Sequence, residues 1–495
     1  MLLPFSLSSQ RTQSILNGVS FFFAGCLLFY TTLRAYTLSM THDESSTFIN
    51  YIDWAVWSCF FDPACWGTAN MHMLNTWLMQ ISVSMFGDAP FFIRLPNVLG
   101  HLLYLISSLF LVRKISKDGW VRLSGFLILN ANPYLLDFFS LARGYGLACA
   151  FMMMSLYFLY EYLDKLENTS LLWALVGAIL SVFSNFTFLN YLAILFAVLT
   201  TFSFFSRLTL FSLPKLSKRQ LSLLLISILG ISSLMAFLLA TPIQTLSKLA
   251  EFKFGVSDIH QTYRVLVLDS LYSQGYFSAS TQDIFAVVTG SIGLIALGIG
   301  FSRIKQLQEA NSRWYFTVCL MLILLILGLI TQYYLLGTQY LVQRKALIII
   351  ILLSLPAVSL ISFLNRWKTA VGLGLSAFIS IFFLLHFSRS ASPDLVREWY
   401  YDRNNYKVVQ ILESETPEGE EISLGLDWIF NHSFLYYQKT GRLENVKPIL
   451  VESDIRNDTH YQYYYIQPSK AHLLHPNYKL IKQFERVSAL YKRSN

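Results

Sequence analysis

Hydrophobic residues in this chain form long uninterrupted runs, unlike the alternating or helix-periodic patterns of a soluble domain. Several runs reach roughly 18 to 23 residues, enough for a helix to cross a hydrocarbon core of roughly 30 Å. The first run is "LNGVSFFFAGCLLFYTTL", and the others begin near Phe92, Leu123, Gly146, Leu171, Leu189, Leu221, Ile284, Trp314, Ala346 and Ala370. The pattern predicts an all-α polytopic membrane protein with about eleven transmembrane helices.

Composition excludes an ordinary soluble globular protein. Hydrophobic residues make up 54% of the 495-residue chain and charged residues 13%, and the mean hydropathy is +0.48. The first run lacks a small-residue cleavage site and is followed by many others, so we expect it to be retained as a helix.

Lys and Arg residues in the short loops predict the orientation. They cluster after the second, sixth and eighth runs and before the last, at Arg113, Lys114, Lys117, Arg122, Arg207, Lys215, Lys218, Arg219, Arg303, Lys305, Arg313, Arg366 and Lys368. These loops are predicted to be cytoplasmic, which leaves the segment after the first run and the C-terminal segment on the outer side. The net charge of +8 reflects this bias and does not indicate a nucleic acid partner.

The chain divides into a membrane domain, residues 1–387, and an outer soluble domain, residues 388–495, where charged residues and Tyr-rich strings such as "THYQYYYIQ" predict a small α+β fold. Two other outer segments are long. Residues 39–90 are predicted to form amphipathic helices along the membrane surface, and residues 241–283 mix charged and aromatic residues in an interfacial, mobile segment.

The five cysteines and the short motifs indicate little soluble-enzyme chemistry. Cys26, Cys149 and Cys319 fall in predicted spans, while Cys59 and Cys65 flank "FFDPA" in the first outer segment, where an oxidising compartment would allow a disulfide. Whether that disulfide forms is left open by the sequence. No Cys or His pair has zinc-site spacing, and no phosphate-binding Gly-rich loop or Gly-x-Ser-x-Gly motif is present.

Polar residues at the outer membrane boundary are the candidate functional residues. Asp43 and Glu44 follow the first span, and "NPYLLDFFSLARGYGLACA" brings Asp137, Arg143 and Tyr145 to the same side. Arg344 and Lys345 lie in "GTQYLVQRKALIII", and with Arg143 they break the positive-inside pattern. Cations on the outer side at headgroup level are what an anionic lipid phosphate requires.

Structural roles compete with each of these assignments. Asp43 and Glu44 are also typical of a helix start, and an outer arginine or lysine can extend along a helix end and bond its last carbonyls. Asp137 can be a helix-end residue. The tryptophans of the first outer segment are typical of an interfacial aromatic belt.

The chain resembles the GT-C glycosyltransferases in these motifs. The acidic pair after the first span, the "PFFIRLPNVLG" entry to the second span and the "NP…D…ARGYGL" segment look like the bacterial relatives of the protein O-mannosyltransferase and aminoarabinose-transferase branch, a glycosyltransferase 39-like group. The resemblance covers residues 1–240 and is reinforced by "QYLVQRKALIIIILLSLPA". Residues 241–387 are more variable in that branch, and residues 388–495 resemble no known domain.

The resemblance implies transfer of a monosaccharide, with inversion, from a polyprenyl-phosphate donor to an acceptor on the outer face. Asp43 would be the general base, Glu44 would orient it, and Asp137 would hold Arg143 or a sugar hydroxyl. Arg143, Tyr145, Arg344 and Lys345 would bind the lipid phosphate or the sugar. Some members use a divalent metal, but the scattered acids form no dedicated oxygen cage and favour metal independence.

Partners and location follow from the same resemblance. The acceptor can be a glycan, a lipid or a protein, and a bacterial inner membrane is favoured, with the site and the C-terminal domain in the periplasm. A transporter or flippase of lipid-linked saccharides is the alternative function, because it too needs many spans and cations near headgroups. The charges of this chain gather at the outer boundary rather than deep within spans, which favours the enzyme.

Overall fold

The structure, a computed structural model, describes residues 10–207, 213–272, 278–417, 420–452 and 455–494. Residues 1–9 and 495, at the outer limits of the two predicted domains, lie outside the described residues. The first ten helices are α1 Gln10–Thr37, α2 His42–Tyr51, α3 Met73–Phe86, α4 Pro90–Ile115, α5 Gly119–Asn130, α6 Pro133–Phe139, α7 Gly144–Lys165, α8 Asn168–Ser184, α9 Leu189–Phe205 and α10 Lys218–Lys248. They are followed by α11 Ile259–Ser270, α12 Ala279–Ser302, α13 Ala310–Leu336, α14 Leu347–Trp367, α15 Thr369–Ser390, α16 Asn405–Glu415 and α17 Asn431–Lys439.

Every predicted hydrophobic run lies in a helix, and the chain is a multi-pass membrane protein. In the described part of the chain, nine helices are long and apolar enough to cross a membrane: α1, α4, α7, α9, α10, α12, α13, α14 and α15. The prediction of about eleven full-length spans differs because α8 has 17 residues and α5 only 12. The third run breaks at Asn132, whose side chain accepts hydrogen bonds from the N–H groups of Tyr134 and Leu135 and starts α6.

The first outer segment forms the predicted helices α2 and α3. Thr41 and Glu44 start α2 as a reciprocal capping box, in which each side chain bonds the backbone N–H of the other. A disulfide joins Cys59 to Cys65 between the two helices, and the Trp66 indole N–H donates to the Cys59 carbonyl at 2.7 Å. The disulfide and this hydrogen bond both constrain the loop between α2 and α3.

The second outer segment begins later than the sequence indicates, because α10 continues to Lys248. It contains α11, and its residues 273–277 lie outside the described residues. A pair of backbone hydrogen bonds joins Val256 to Tyr340, which ties this segment to the entry of α14.

The C-terminal segment forms the predicted small α+β domain. Its strands are β1 Leu424–Leu426, β2 Tyr463–Ile466, β3 Tyr478–Phe484 and β4 Ser488–Arg493, arranged in the order β1-β2-β4-β3. The β1–β2 pair is parallel and the other pairs are antiparallel. Helices α16 and α17 pack on this sheet, with Phe434 against Tyr465.

The core of the C-terminal domain is continuous with the outer segment of the membrane domain. Met40, Phe48, Met79 and Ile93 are buried in the same hydrophobic cluster as the sheet and α17, including Tyr436, whose ring contacts Phe48. Burial of these apolar side chains against the tail is the main stabilising contribution at this contact. The tail is therefore joined to the first outer segment by a shared core.

The opposite ends of the spans carry the basic loop residues. Lys114 at the end of α4 and Lys165 at the end of α7 both pair with Glu161. Arg313 at the start of α13 lies near Asp164. The helices α4 and α7 thus run from the end that contacts the tail to an end rich in cations.

Candidate active site

Asp43 lies in the first turn of α2, where it is nearly buried between the spans and the tail. Its Oδ2 lies 3.4 Å from an Arg143 guanidinium nitrogen and 3.3 Å from one of Arg344. The Asp43 side chain is 11% exposed. The structure thus brings together three of the residues that the sequence singled out, and we name this cluster the Asp43 centre.

Arg143 is held at the start of α7, where its side chain is 1% exposed. It donates to the Asp43 carbonyl, the Thr47 hydroxyl, and the carbonyl and side-chain oxygens of Asn70. Its buried Nε has no hydrogen-bond partner among the described residues. Arg143 therefore does not extend toward water, which excludes the snorkelling role, although it does bond loop carbonyls.

Arg344 lies at the entry of α14 and is 22% exposed. It lies between two carboxylates, because one terminal nitrogen contacts Asp43 while the other donates to Glu398 at 2.6 Å. The Arg344 backbone N–H also donates to Glu398, and its guanidinium lies over the Trp399 ring at 5.1 Å. The tail thus fixes this arginine from the side opposite α2.

The electrostatics of the centre keep Asp43 ionised. Burial alone would raise the pKa of this carboxyl, but Arg143 and Arg344 outweigh it and hold the pKa below its usual range. Its position in the first turn of α2 also favours the anion. Asp43 is therefore a carboxylate at neutral pH.

Glu44 points away from Asp43 and is fully saturated with donors. Its two oxygens accept two hydrogen bonds from Arg94, each of 2.9 Å, and others from Thr41 and the Ala142 N–H. The Arg94 and Glu44 side chains are both 0% exposed. Burial would raise the Glu44 pKa, but Arg94 and the other donors lower it. Glu44 thus has the helix-start role that competes with a catalytic one, because it is the capping-box partner of Thr41.

Asp137 forms a separate buried cluster with a partner that the sequence did not indicate. Its carboxylate pairs with Arg34 at 2.6 Å rather than with Arg143. It also accepts from the Tyr272 hydroxyl and from the Arg397 N–H. This cluster links α1, α6, the second outer segment and the start of the tail.

The two remaining candidates lie at the edges of the Asp43 centre. Tyr145 is buried on α7, with its ring against His72 and Phe138. Lys345 points away from Asp43 and donates to the Phe254 carbonyl while lying over the Phe254 ring. Lys345 therefore belongs to the second outer segment's contact surface.

Several residues of the site lie in the tail, where the sequence indicated only an accessory domain. Glu398 holds Arg344, and Asp402 accepts from the His42 N–H at 2.7 Å. Burial raises the pKa of the Asp402 carboxyl well above its usual range. The acidic "REWYYD" string just after the last span was the available signal, because charges that directly follow a span lie at headgroup level.

Among the residues that the structure describes, no three His, Cys, Asp or Glu side chains converge as metal ligands.

Comparison with known proteins returned structures but no sequence family. No family model matches the chain, and no curated protein sequence does. ArnT from Cupriavidus metallidurans in the apo state is similar with a TM-score of 0.48 and 12% identity, covering 98% of both chains. ArnT from the same organism bound to undecaprenyl phosphate is similar with a TM-score of 0.45 and 12% identity, covering 96% of this chain and 97% of that one.

Proposed function

We propose that this chain is a membrane glycosyltransferase that moves a monosaccharide from a polyprenyl-phosphate donor to an acceptor on the outer face. The observation that carries the proposal is the Asp43 centre, an ionised carboxylate beside two arginines at the end of the membrane spans. A general base and cations for a phosphate leaving group are the two requirements of this reaction, and here they lie within one cluster.

Asp43 acts as the general base in this proposal. The acceptor oxygen attacks the anomeric carbon while Asp43 takes the acceptor's proton. The bond between the anomeric carbon and the donor's phosphate oxygen breaks, and its electron pair leaves with the polyprenyl phosphate. Attack opposite the leaving group inverts the anomeric configuration. A positioned base contributes roughly 10²–10⁴-fold to such a rate.

Arg143 and Arg344 stabilise the charge that builds on the leaving phosphate. The contacts between these arginines and Asp43 are longer than those between Arg94 and Glu44. The Nε groups of Arg143 and Arg344 lack partners among the described residues. Both features leave donor capacity for phosphate oxygens. Lys345 would serve as a peripheral cation for the donor, and Tyr145 would line the sugar's position.

Room for the lipid chain exists at the same end of the spans. An apolar cavity of about 420 Å³ lies between α9 and α10, lined by Leu192, Phe196 and Leu239 among others. Phe186, just before α9, contacts Trp66 of the first outer segment. An isoprenoid chain has the chemistry that such a cavity accepts.

In this proposal the site faces the periplasm of a bacterial inner membrane. The cations of the α4 and α7 ends mark the cytoplasmic side by the positive-inside rule. The Cys59–Cys65 disulfide, at the other end, is consistent with an oxidising compartment. In this proposal Glu44 and Asp137 are positioning residues for α2 and α6.

The test is release of polyprenyl phosphate, measured by mass spectrometry, from purified protein given a panel of polyprenyl-phosphate monosaccharides and crude membrane acceptors. We expect release by the wild type and its collapse in Asp43→Asn. No release from any donor by well-folded wild type would contradict the proposal and favour a flippase, to be tested by lipid translocation in liposomes.

A further inference from the structure

The side of Asp43 that faces the tail carries two aromatic residues that the reaction above does not use. The His432 ring of α17 contacts the His42 ring at 4.5 Å, and the Trp428 ring contacts His42 at 5.9 Å. His42 directly precedes Asp43, and His432 lies near enough to the Asp43 carboxylate to influence its pKa.

His42 is held rigidly in this position by the tail. Its backbone N–H donates to Asp402, and its ring Nδ1 is bonded at 2.8 Å to the Ile429 carbonyl. Ile429 lies between Trp428 and His432 in sequence, so the stretch of chain that carries these two rings also holds the His42 ring. The arrangement is preorganised rather than a loose surface contact.

Hydrogen-bonding capacity remains unused on this wall. The buried Nδ1 of His432 has no hydrogen-bond partner in the part of the chain that the structure describes, and the same is true of the Asn431 side-chain oxygen. Asn431 is 2% exposed. Trp428, in contrast, exposes 52% of its surface. An exposed ring beside buried unpaired polar atoms is an arrangement that suits a ligand with both apolar and hydroxyl faces.

The charge distribution separates two sides of Asp43. The guanidinium groups of Arg143 and Arg344 both approach Oδ2, and no hydrogen bond from a described residue reaches Oδ1. On the tail side, burial and the neighbouring His42 lower the pKa of His432 to about 4, so its ring is neutral at neutral pH. An anionic phosphate acceptor would find no cation at Trp428 or His432.

We propose that Trp428 and His432 form the acceptor subsite of the Asp43 centre, and that the acceptor is a hydroxyl group of an uncharged pyranose. The pyranose C–H face stacks on Trp428, His432 Nδ1 bonds a neighbouring hydroxyl, and the reacting hydroxyl meets Oδ1 of Asp43. The proposal rests on the proposed function, because it assigns the acceptor of that same reaction.

The experiment measures acceptor kinetics with the full-length protein in lipid nanodiscs and the donor that supports release. The probes are octyl glycosides below their micelle-forming concentrations, as neutral acceptors, and lipid A, as a phosphorylated one. We expect transfer to a glycoside hydroxyl, with the acceptor KM raised roughly tenfold in Trp428→Ala and roughly three- to tenfold in His432→Ala. The KM for the donor should change by less than about twofold in both variants.

Matched controls separate recognition from folding. Trp428→Phe keeps a stacking ring and should restore most of the acceptor affinity. Trp173→Ala removes a ring of similar exposure, 49%, on α8 and should leave both KM values unchanged. Unchanged acceptor KM in Trp428→Ala and His432→Ala would overturn the subsite.

The two proposals fail in different ways. Polyprenyl phosphate released without any glycoside product, or transfer only to a phosphate of lipid A, would overturn the neutral-sugar acceptor but leave the glycosyltransferase standing. No release from any donor would overturn the proposed function itself.

Discussion

Asp43 and Glu44 are neighbours in sequence, yet they sit in contrasting environments. Glu44 meets Arg94 through two contacts of 2.9 Å in a pair that is 0% exposed, with Thr41 and Ala142 completing its bonds. Asp43 meets two arginines at 3.3 and 3.4 Å through one oxygen, and its side chain is 11% exposed. A saturated carboxylate has no lone pair left for a proton and serves the fold. One that is only partly coordinated keeps a lone pair available for catalysis.

Asp43→Asn should produce the largest effect, on activity rather than on stability. The amide keeps the shape of the side chain but cannot accept a proton, so we expect kcat to fall by roughly 10²–10⁴-fold. Release of polyprenyl phosphate measures kcat, and the thermal unfolding midpoint in detergent should fall less than in Glu44→Gln, because Asp43 meets its arginines only at 3.3 and 3.4 Å and Arg143 keeps its bonds to Thr47 and Asn70. Full activity in this variant would remove Asp43 from the mechanism.

Glu44→Gln should show the opposite pattern. It leaves the Arg94 guanidinium buried without its counter-ion, and breaking a buried pair in this way costs about 3–5 kcal/mol of folding free energy. The measurement is the thermal unfolding midpoint, with Asp43→Asn as the neighbouring control. A normal midpoint combined with lost activity would show that Glu44, too, acts directly in catalysis.

Arg344→Ala should slow the reaction by an amount equivalent to about 2.7–4 kcal/mol in the barrier, the typical cost of losing one preorganised partner of developing charge. Arg344→Lys should recover little of this loss. An ammonium cannot span Asp43 and Glu398 as the guanidinium does. Nearly full activity in the lysine variant would indicate that only a point charge is needed.

The pH profile distinguishes the two carboxylates further. Arg143 lowers the pKa of Asp43 against the effect of burial. Arg143→Ala should therefore raise that pKa and shift the acid limb of the kcat/KM profile to higher pH. This limb is measurable between roughly pH 4 and 7. Glu44, whose pKa is also lowered, contributes stability above its unfolded pKa that is lost as pH falls through its folded pKa. An unmoved acid limb in Arg143→Ala would mean that another group titrates.

The smallest effect is expected where a tail contact is exposed. Lys439 pairs with Asp53 at 2.8 Å, with side chains 40% and 79% exposed. Lys439→Ala should therefore change the free energy of unfolding by only about 0–1 kcal/mol. A larger loss in the thermal midpoint would show that this surface pair, and not the shared apolar core, joins the tail to α2.

The sequence could predict the spans, the outer helices, the α+β tail and the position of Asp43, Arg143 and Arg344 at the same end of the spans, because run length, charge position and residue type are local properties. It could not predict that Arg94 would pair with Glu44 or Arg34 with Asp137. These pairings depend on which helix faces meet. Glu398 and His432 were missed for the same reason, since their roles arise only when the tail folds back onto α2.

The core that Met40 and Phe48 share with α17 has a consequence for biogenesis. Asp43 precedes the tail in the chain, and part of its enclosure, including Glu398, Asp402 and His432, belongs to the tail and is therefore synthesised later. Until then its apolar neighbours stay uncovered and available to chaperones and proteases. A chain that ends prematurely would therefore lack a complete Asp43 centre and would leave these apolar side chains exposed. The protein would become active only after the whole polypeptide has been synthesised.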